Sequence, residues 1–125
     1  MSGLLIEETP IPGLMALTPK AHRDERGGFA RLFDRDALAQ AGMTFLPGQT
    51  SLGTNHRAGT LRGLHYQDAP AAETKIVHCV AGSIFDVAVD LRRDSPAFRR
   101  WHAVELSDAN GKGLLIPKGC AHGFL

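Results

Sequence analysis

The sequence predicts an all-β domain, an antiparallel sandwich or barrel, on three observations. Apolar residues recur mostly with period two, short strand-like runs are separated by turn sequences such as "RDSP", "DANGKG" and "PKG", and only one stretch carries helix signals. In chain order the runs fall at 4–8, 14–18, 29–33, 50–54, 60–66, 75–80, 83–92, 101–106 and 114–116. The clearest is "SIFDVAVDLR", with Phe85, Val87, Val89 and Leu91 on one face and Ile84, Asp86, Ala88 and Asp90 on the other. It reads as a central strand with carboxylates on its mixed face. The helix signal is "DRDALAQAG", where Asp34 can cap the start and Gly42 the end.

The chain has 125 residues, enough for one domain that buries roughly 65% of its unfolded surface without metal or disulfide help. No repeat, low-complexity segment or linker-like shift divides it, so a single domain over 1–125 is expected. Fourteen Lys and Arg against thirteen Asp and Glu leave a formal charge of +1, which provides no field for nucleic acid. The arginines at 92, 93, 99 and 100 read as a solvated loop cluster. Cys79 and Cys120 have neither metal-ligand nor disulfide-framework spacing and are expected as buried thiols, with a reducing cytoplasmic setting as the default. The N-terminus lacks a basic leader followed by an apolar core, and no 18-residue apolar stretch is present, so neither export nor a membrane partner is expected.

Two stretches carry chemistry. "GTLRGLHYQ", from Gly59, places a cation at Arg62 and an imidazole at His65 in a strand. "IPKGCAHGFL" sets a tight turn at Pro117 and Gly119 and brings His122 out three residues later. Arg62 and His65 are three apart, so on a regular strand they would face opposite sides. They can share a ligand only if the strand is bulged or twisted near Gly63. On bland grounds Arg62 would pair with Asp86 or Asp90 across the sheet, and Asp86 would either orient a site cation or satisfy a turn.

The same two stretches resemble the signature motifs of the cupin superfamily, whose fold is a double-stranded β-helix, or jelly-roll, barrel. In metal-binding cupins the first motif holds two histidines one residue apart plus a glutamate, and the second holds another histidine. Here the pair reads His65 and Gln67, and an amide is a poor substitute for imidazole on a transition metal. The metal set shrinks to His65, Glu73 and His122, and no metal or other cofactor is expected.

"HRDERGGF", "QTSLGTNHRAGTLRGLHYQ", "ETKIVHCVAGSIFDVAVDLRRDSPAFRRW", "VELSDAN" and "LLIPKGCAHGFL" resemble, in order and spacing, the dTDP-4-dehydrorhamnose 3,5-epimerase family, from about Ile11 onward. The resemblance implies a metal-free enzyme that binds a dTDP-4-keto-6-deoxy sugar and inverts C3 and C5 beside the ketone, in dTDP-L-rhamnose biosynthesis. It implies His65 as the base and Lys75 as the stabiliser of the enolate. Arg62 and His122 become substrate contacts, Gln49 a nucleotide contact, and Arg26 a diphosphate-binding arginine reaching into the neighbouring subunit of a homodimer. Arg31 stands where the family commonly has a substrate-contacting glutamate, and Ser51 where asparagine is frequent. The family also continues beyond the position of Leu125 through strands that carry a proton-donating tyrosine and an aspartate partner for the base. A barrel missing those C-terminal strands is therefore expected, and a binding-only relative is the alternative to an active epimerase.

Overall fold

In this computed structural model, which describes residues 3–44, 47–68 and 72–125, one short strand organises two apolar layers. β9 (Gly113–Ile116) is buried at every position. Leu114 and Ile116 turn to one side, into a cluster with Ile11, Leu14, Ala88, Ala97, Leu106 and Cys120. Leu115 turns to the other, against Leu4, Met15, Leu17 and Leu38. Period two in a strand covered on both faces demands apolar residues at every position, which is what "LLI" supplies. Each fully buried leucine contributes about 1.5–3 kcal/mol.

β9 lies inside the sheet β1 (Leu4–Glu8), β2 (Met15–Pro19), β9, β6 (Lys75–His78). The facing sheet runs β5 (Arg62–His65), β10 (Cys120–Phe124), β7 (Ser83–Asp90), β8 (Trp101–Ser107). Every pairing is antiparallel. The cluster containing Leu114 and Ala88 fills the space between the two sheets, so the architecture is the expected all-β jelly roll. The second cluster lies outside the first sheet under α1 (Arg35–Gln40), whose Leu38 is fully buried. Asp34 caps this helix by accepting from the backbone N–H groups of Asp36 and Ala37, each at 3.0 Å. Gly42 follows with φ +83°, a helix stop that glycine adopts without steric penalty.

Some strand expectations change. The run at 29–33 is not a strand: β3 (His22–Asp24) and β4 (Gly27–Phe29) form a separate two-stranded hairpin that closes at the His22–Phe29 pair. Residues 50–54 are irregular as well. On β7 the inward face is the one bearing carboxylates: Asp86, Ala88 and Asp90 are buried, while Phe85 is 51% exposed. Among the described residues no helix is long and apolar enough to cross a membrane.

Asp90 explains why Arg92 leaves the solvated cluster assigned from sequence. Arg92 donates to the fully buried carboxylate through Nε at 2.9 Å, Nη2 at 3.0 Å and its backbone N–H at 3.0 Å, and reaches the Pro12 carbonyl with Nη2. Ser95 Oγ adds a fourth bond at 2.5 Å. Burial pushes the Asp90 carboxyl up, but the hydrogen bonds from Arg92 and Ser95 prevail and hold it below its ordinary value of 3.8. A carboxyl depressed in the folded state adds stability above its unfolded pKa and loses it as pH falls through the folded value. Melting temperature should therefore fall below about pH 5, and thermal scans of Asp90→Asn should show a shallower fall.

Both cysteines are free thiols, Cys120 buried and Cys79 half-buried. Burial pushes the Cys120 thiol up to about 11, which leaves it protonated at neutral pH.

Candidate active site

Strand register brings four of the six candidate residues to the space between the sheets. Residues paired directly across a sheet point to the same side of it. His122 pairs with Ala88 on β7 and with His65 on β5, and Ala88 belongs to the inter-sheet core. Phe124 pairs with Asp86 on one side and Arg62 on the other. Arg62, His65, Asp86 and His122 thus share the inward face. Lys75 opens β6 in the opposing sheet opposite Ile116, itself a core residue, and so faces them from the other wall.

The irregularity expected at Gly63 is what makes this possible. Between its two pairs with β10, β5 advances three residues, from Arg62 to His65, while β10 moves two, from Phe124 to His122. The extra residue restores parity. Gly63 has φ +103°, the left-handed side of conformational space, and its peptide to Leu64 is cis. A Cβ at this position would lie 2.6 Å from Gly123 Cα and 2.7 Å from the His122 carbonyl oxygen. Glycine is required here by both conformation and space.

Individual environments differ sharply. β5 is an exposed edge strand, so His65 and Arg62 are open to solvent. Arg62 does not pair with Asp86 or Asp90. Its Nε donates to Asn55 Oδ1 at 2.6 Å and its Nη2 to the Thr54 carbonyl at 3.2 Å, which ties the irregular 51–55 segment to the site. His122 is buried, with Nε2 2.7 Å from Oδ1 of the fully buried Asp86. Asp86, open from sequence to orienting a site cation or satisfying a turn, has the His122 imidazole as its hydrogen-bond partner. Lys75 is half-buried.

The other two candidates lie outside the strands of this register. Arg26 sits at the tip of the β3–β4 hairpin, bonded to Asp24 with Nη2 2.7 Å from Oδ2, and this guanidinium holds the Asp24 carboxyl below its usual range. Gln49 is exposed in irregular chain. Glu73 is exposed too, and among the described residues no three His, Cys, Asp or Glu side chains could hold a metal ion. A cavity of about 300 Å³ lies beside the hairpin, lined by Phe29, His78, Cys79 and Asp108 among others, but by none of the six candidates. Sequence reasoning did not single out Asn55 or Thr54. The available signal was a polar pair shortly before a strand arginine.

A jelly-roll barrel of facing antiparallel sheets, with two histidines, an arginine and a lysine turned toward one mouth, is a cupin-type barrel with a polar site. More narrowly, the family model described as dTDP-4-dehydrorhamnose 3,5-epimerase matches residues 8–125, and the chain belongs to that family. It is 44% identical over 120 residues to the dTDP-4-dehydrorhamnose 3,5-epimerase of Shigella flexneri, covering 94% of this chain and 65% of that protein. The crystal structure of the Bacillus anthracis enzyme of the same name, with TDP and PPi bound, superposes with a TM-score of 0.93 at 40% identity, over 97% of this chain and 69% of that one. A Legionella pneumophila dTDP-6-deoxy-D-glucose-3,5-epimerase in complex with dTDP-4-keto-L-rhamnose gives 0.81 at 39% identity, over 97% and 64%. The chain thus spans about two thirds of the length of such relatives.

Proposed function

We propose that this chain epimerises a dTDP-4-keto-6-deoxy sugar at the carbons flanking its ketone, in dTDP-L-rhamnose biosynthesis. The observation that carries the reading is the bulge at Gly63, which turns Arg62 and His65 to one side, beside His122 and opposite Lys75. A proton next to a ketone leaves only if a base takes it while the carbonyl oxygen is stabilised. His65 Nε2 or Nδ1 accepts the proton; the C–H electron pair becomes the enolate double bond, and the carbonyl π pair moves to oxygen. Lys75, as an ammonium, meets that oxygen, a contact strongest once charge has developed. Reprotonation from the opposite face inverts the carbon. Arg62 and His122 hold the sugar and its anionic leash, Gln49 the nucleotide, and Arg26, on its projecting hairpin, the diphosphate in a neighbouring subunit. The relatives with TDP and dTDP-4-keto-L-rhamnose bound support this substrate class. No cofactor is needed by this chemistry, and a cytoplasmic homodimer is the proposed form.

A second reading, nucleotide-sugar binding without turnover, is favoured by one observation. Tyr66 is next in sequence to His65, and the Asp68 carboxylate beside the Tyr66 hydroxyl holds that phenol above its usual range, so Tyr66 is a reluctant donor of a proton. In deuterated water with dTDP-4-keto-6-deoxyglucose, the 125-residue chain should wash deuterium into the carbon beside the ketone faster than it forms epimerised sugar. Tight binding with no exchange above background would select the second reading. Absence of both would end the proposal.

Association tests the role given to Arg26. Light scattering should report a dimer or larger, because the role proposed for Arg26, at the tip of its hairpin, is in a neighbouring subunit's site. A clean monomer that still binds dTDP with Arg26 dependence would contradict the cross-subunit role.

A further inference from the structure

Two aspartates on β7 face inward and are equally inaccessible, yet they are treated oppositely. Asp90 has both carboxylate oxygens filled by Arg92 and Ser95. Asp86 has one partner, His122 Nε2, and its Oδ2 is buried with no hydrogen-bond partner. A buried carboxylate oxygen without a donor is unfavourable, and a strand position between the sheets would be filled more stably by an apolar side chain. Asp90 has a structural account. The account of Asp86 lies in what it does to His122.

Register gives that account a direction. Asp86, His122 and His65 lie across three neighbouring strands, β7, β10 and β5, on one face of the sheet. Asp86 meets His122 diagonally, and His65 is its direct cross-strand partner. With Nε2 committed to a carboxylate, which can only accept, the ring must carry a proton there, and Nδ1 is the one nitrogen left for a ligand.

We infer that Asp86 is a positioning residue of the site: it fixes the ring plane and the Nε2–H form of His122, so that Nδ1 is presented beside His65 to a polar group of the bound sugar. This rests on the function proposed above, and deepens it by adding the residue that aims one of its contacts. Asp86 itself touches no substrate. The sugar, not the nucleotide, is the part of the ligand that senses it.

The test uses the whole chain with Asp86→Asn and Asp86→Ala, folding being checked by circular dichroism. Proton and ¹⁵N spectra of the imidazoles, with His122→Asn to assign the signal, should show a far-downfield, slowly exchanging Hε2 on His122. It should move upfield in Asp86→Asn, where the acceptor is neutral, and vanish in Asp86→Ala. Affinity for dTDP alone should be unchanged in Asp86→Asn, while affinity for dTDP-4-keto-6-deoxyglucose should fall roughly tenfold, the value of one hydrogen bond. A His122 signal without the downfield proton in the unsubstituted chain would overturn the inference, whether or not the chain turns over. Equal loss of dTDP and sugar-nucleotide binding in a folded Asp86→Asn would make Asp86 merely structural and overturn it too. If the proton behaves as expected but the unsubstituted chain does not bind the keto-sugar, the proposed substrate is wrong while the orientation of His122 stands.

Discussion

His65→Asn should abolish deuterium exchange at the carbon beside the ketone while leaving dTDP binding intact. The amide can form hydrogen bonds but cannot accept the proton usefully, and loss of a positioned base costs about 10²–10⁴-fold. The fold should tolerate the change well, because β5 is exposed at every position. Lys75→Ala provides the complementary result. If its ammonium meets the enolate oxygen, exchange should fall on the order of 10²–10³-fold, with a smaller loss of binding, since the contact is strongest after charge develops. Exchange rates followed by NMR in the two variants check both roles. Unchanged exchange in a folded His65→Asn would remove His65 from the mechanism.

Gly63→Ala should be the most disruptive single methyl group that can be added to the site. It would have to enter space occupied by the backbone of β10, 2.6 Å from Gly123 Cα, at a φ of +103° that alanine avoids. Neither neighbour is the flexible end of a side chain, so β5 must move. A cost on the order of 3 kcal/mol is expected, combining backbone strain and overlap. Gly59→Ala is the control: its φ is +80°, but nothing lies within 4 Å of the added carbon. It should cost only about 1 kcal/mol. Urea denaturation of both variants separates the terms, and equal losses would mean that β5 and β10 do not approach as closely as the geometry requires. Gly63→Ala should also lose exchange, because the bulge that turns His65 and Arg62 to one side would be displaced.

The sequence made the irregularity legible for a simple reason. Two polar residues three apart, with glycine between them, cannot serve one ligand on a regular strand. The helix was legible too, since Asp34 and Gly42 mark its ends by local chemistry that needs no tertiary information. The orientation of β7 was not. Its more apolar face, with Phe85 and Val87, is the partly exposed one, while Asp86 and Asp90 go inward because partners from β10 and the 91–95 turn meet them there. His122 is 36 residues from Asp86, and Arg92 and Ser95 reach Asp90 only through the turn that follows the strand, so alternation alone could not choose. β3 escaped notice because His22, Arg23 and Asp24 are all polar and exposed, which leaves no period to read. The apparent strand at 29–33 is mostly apolar, with Phe29, Leu32 and Phe33, but the hairpin register ends at Phe29. Arg62, His65, Lys75 and His122, singled out by the family's motifs, share one inter-sheet face by register. Arg26 and Gln49 rest on resemblance alone.

The two histidines paired across β5 and β10 belong to strands of very different local stability. His122 sits on a strand buried over Cys120–Gly123 and hydrogen-bonded on both sides, so exposing it means breaking the sheet. His65 sits on an exposed edge strand with one neighbour and an interrupted ladder. Opening free energies follow buried contacts and protected backbone bonds, so β5 can part from the sheet at far lower cost than β10. Amide hydrogen exchange should accordingly be asymmetric along the pair, faster at His65 and slower at His122. The site thus joins an exposed, interrupted edge strand to a buried, doubly paired one, with Asp86 and His122 on the firmer side.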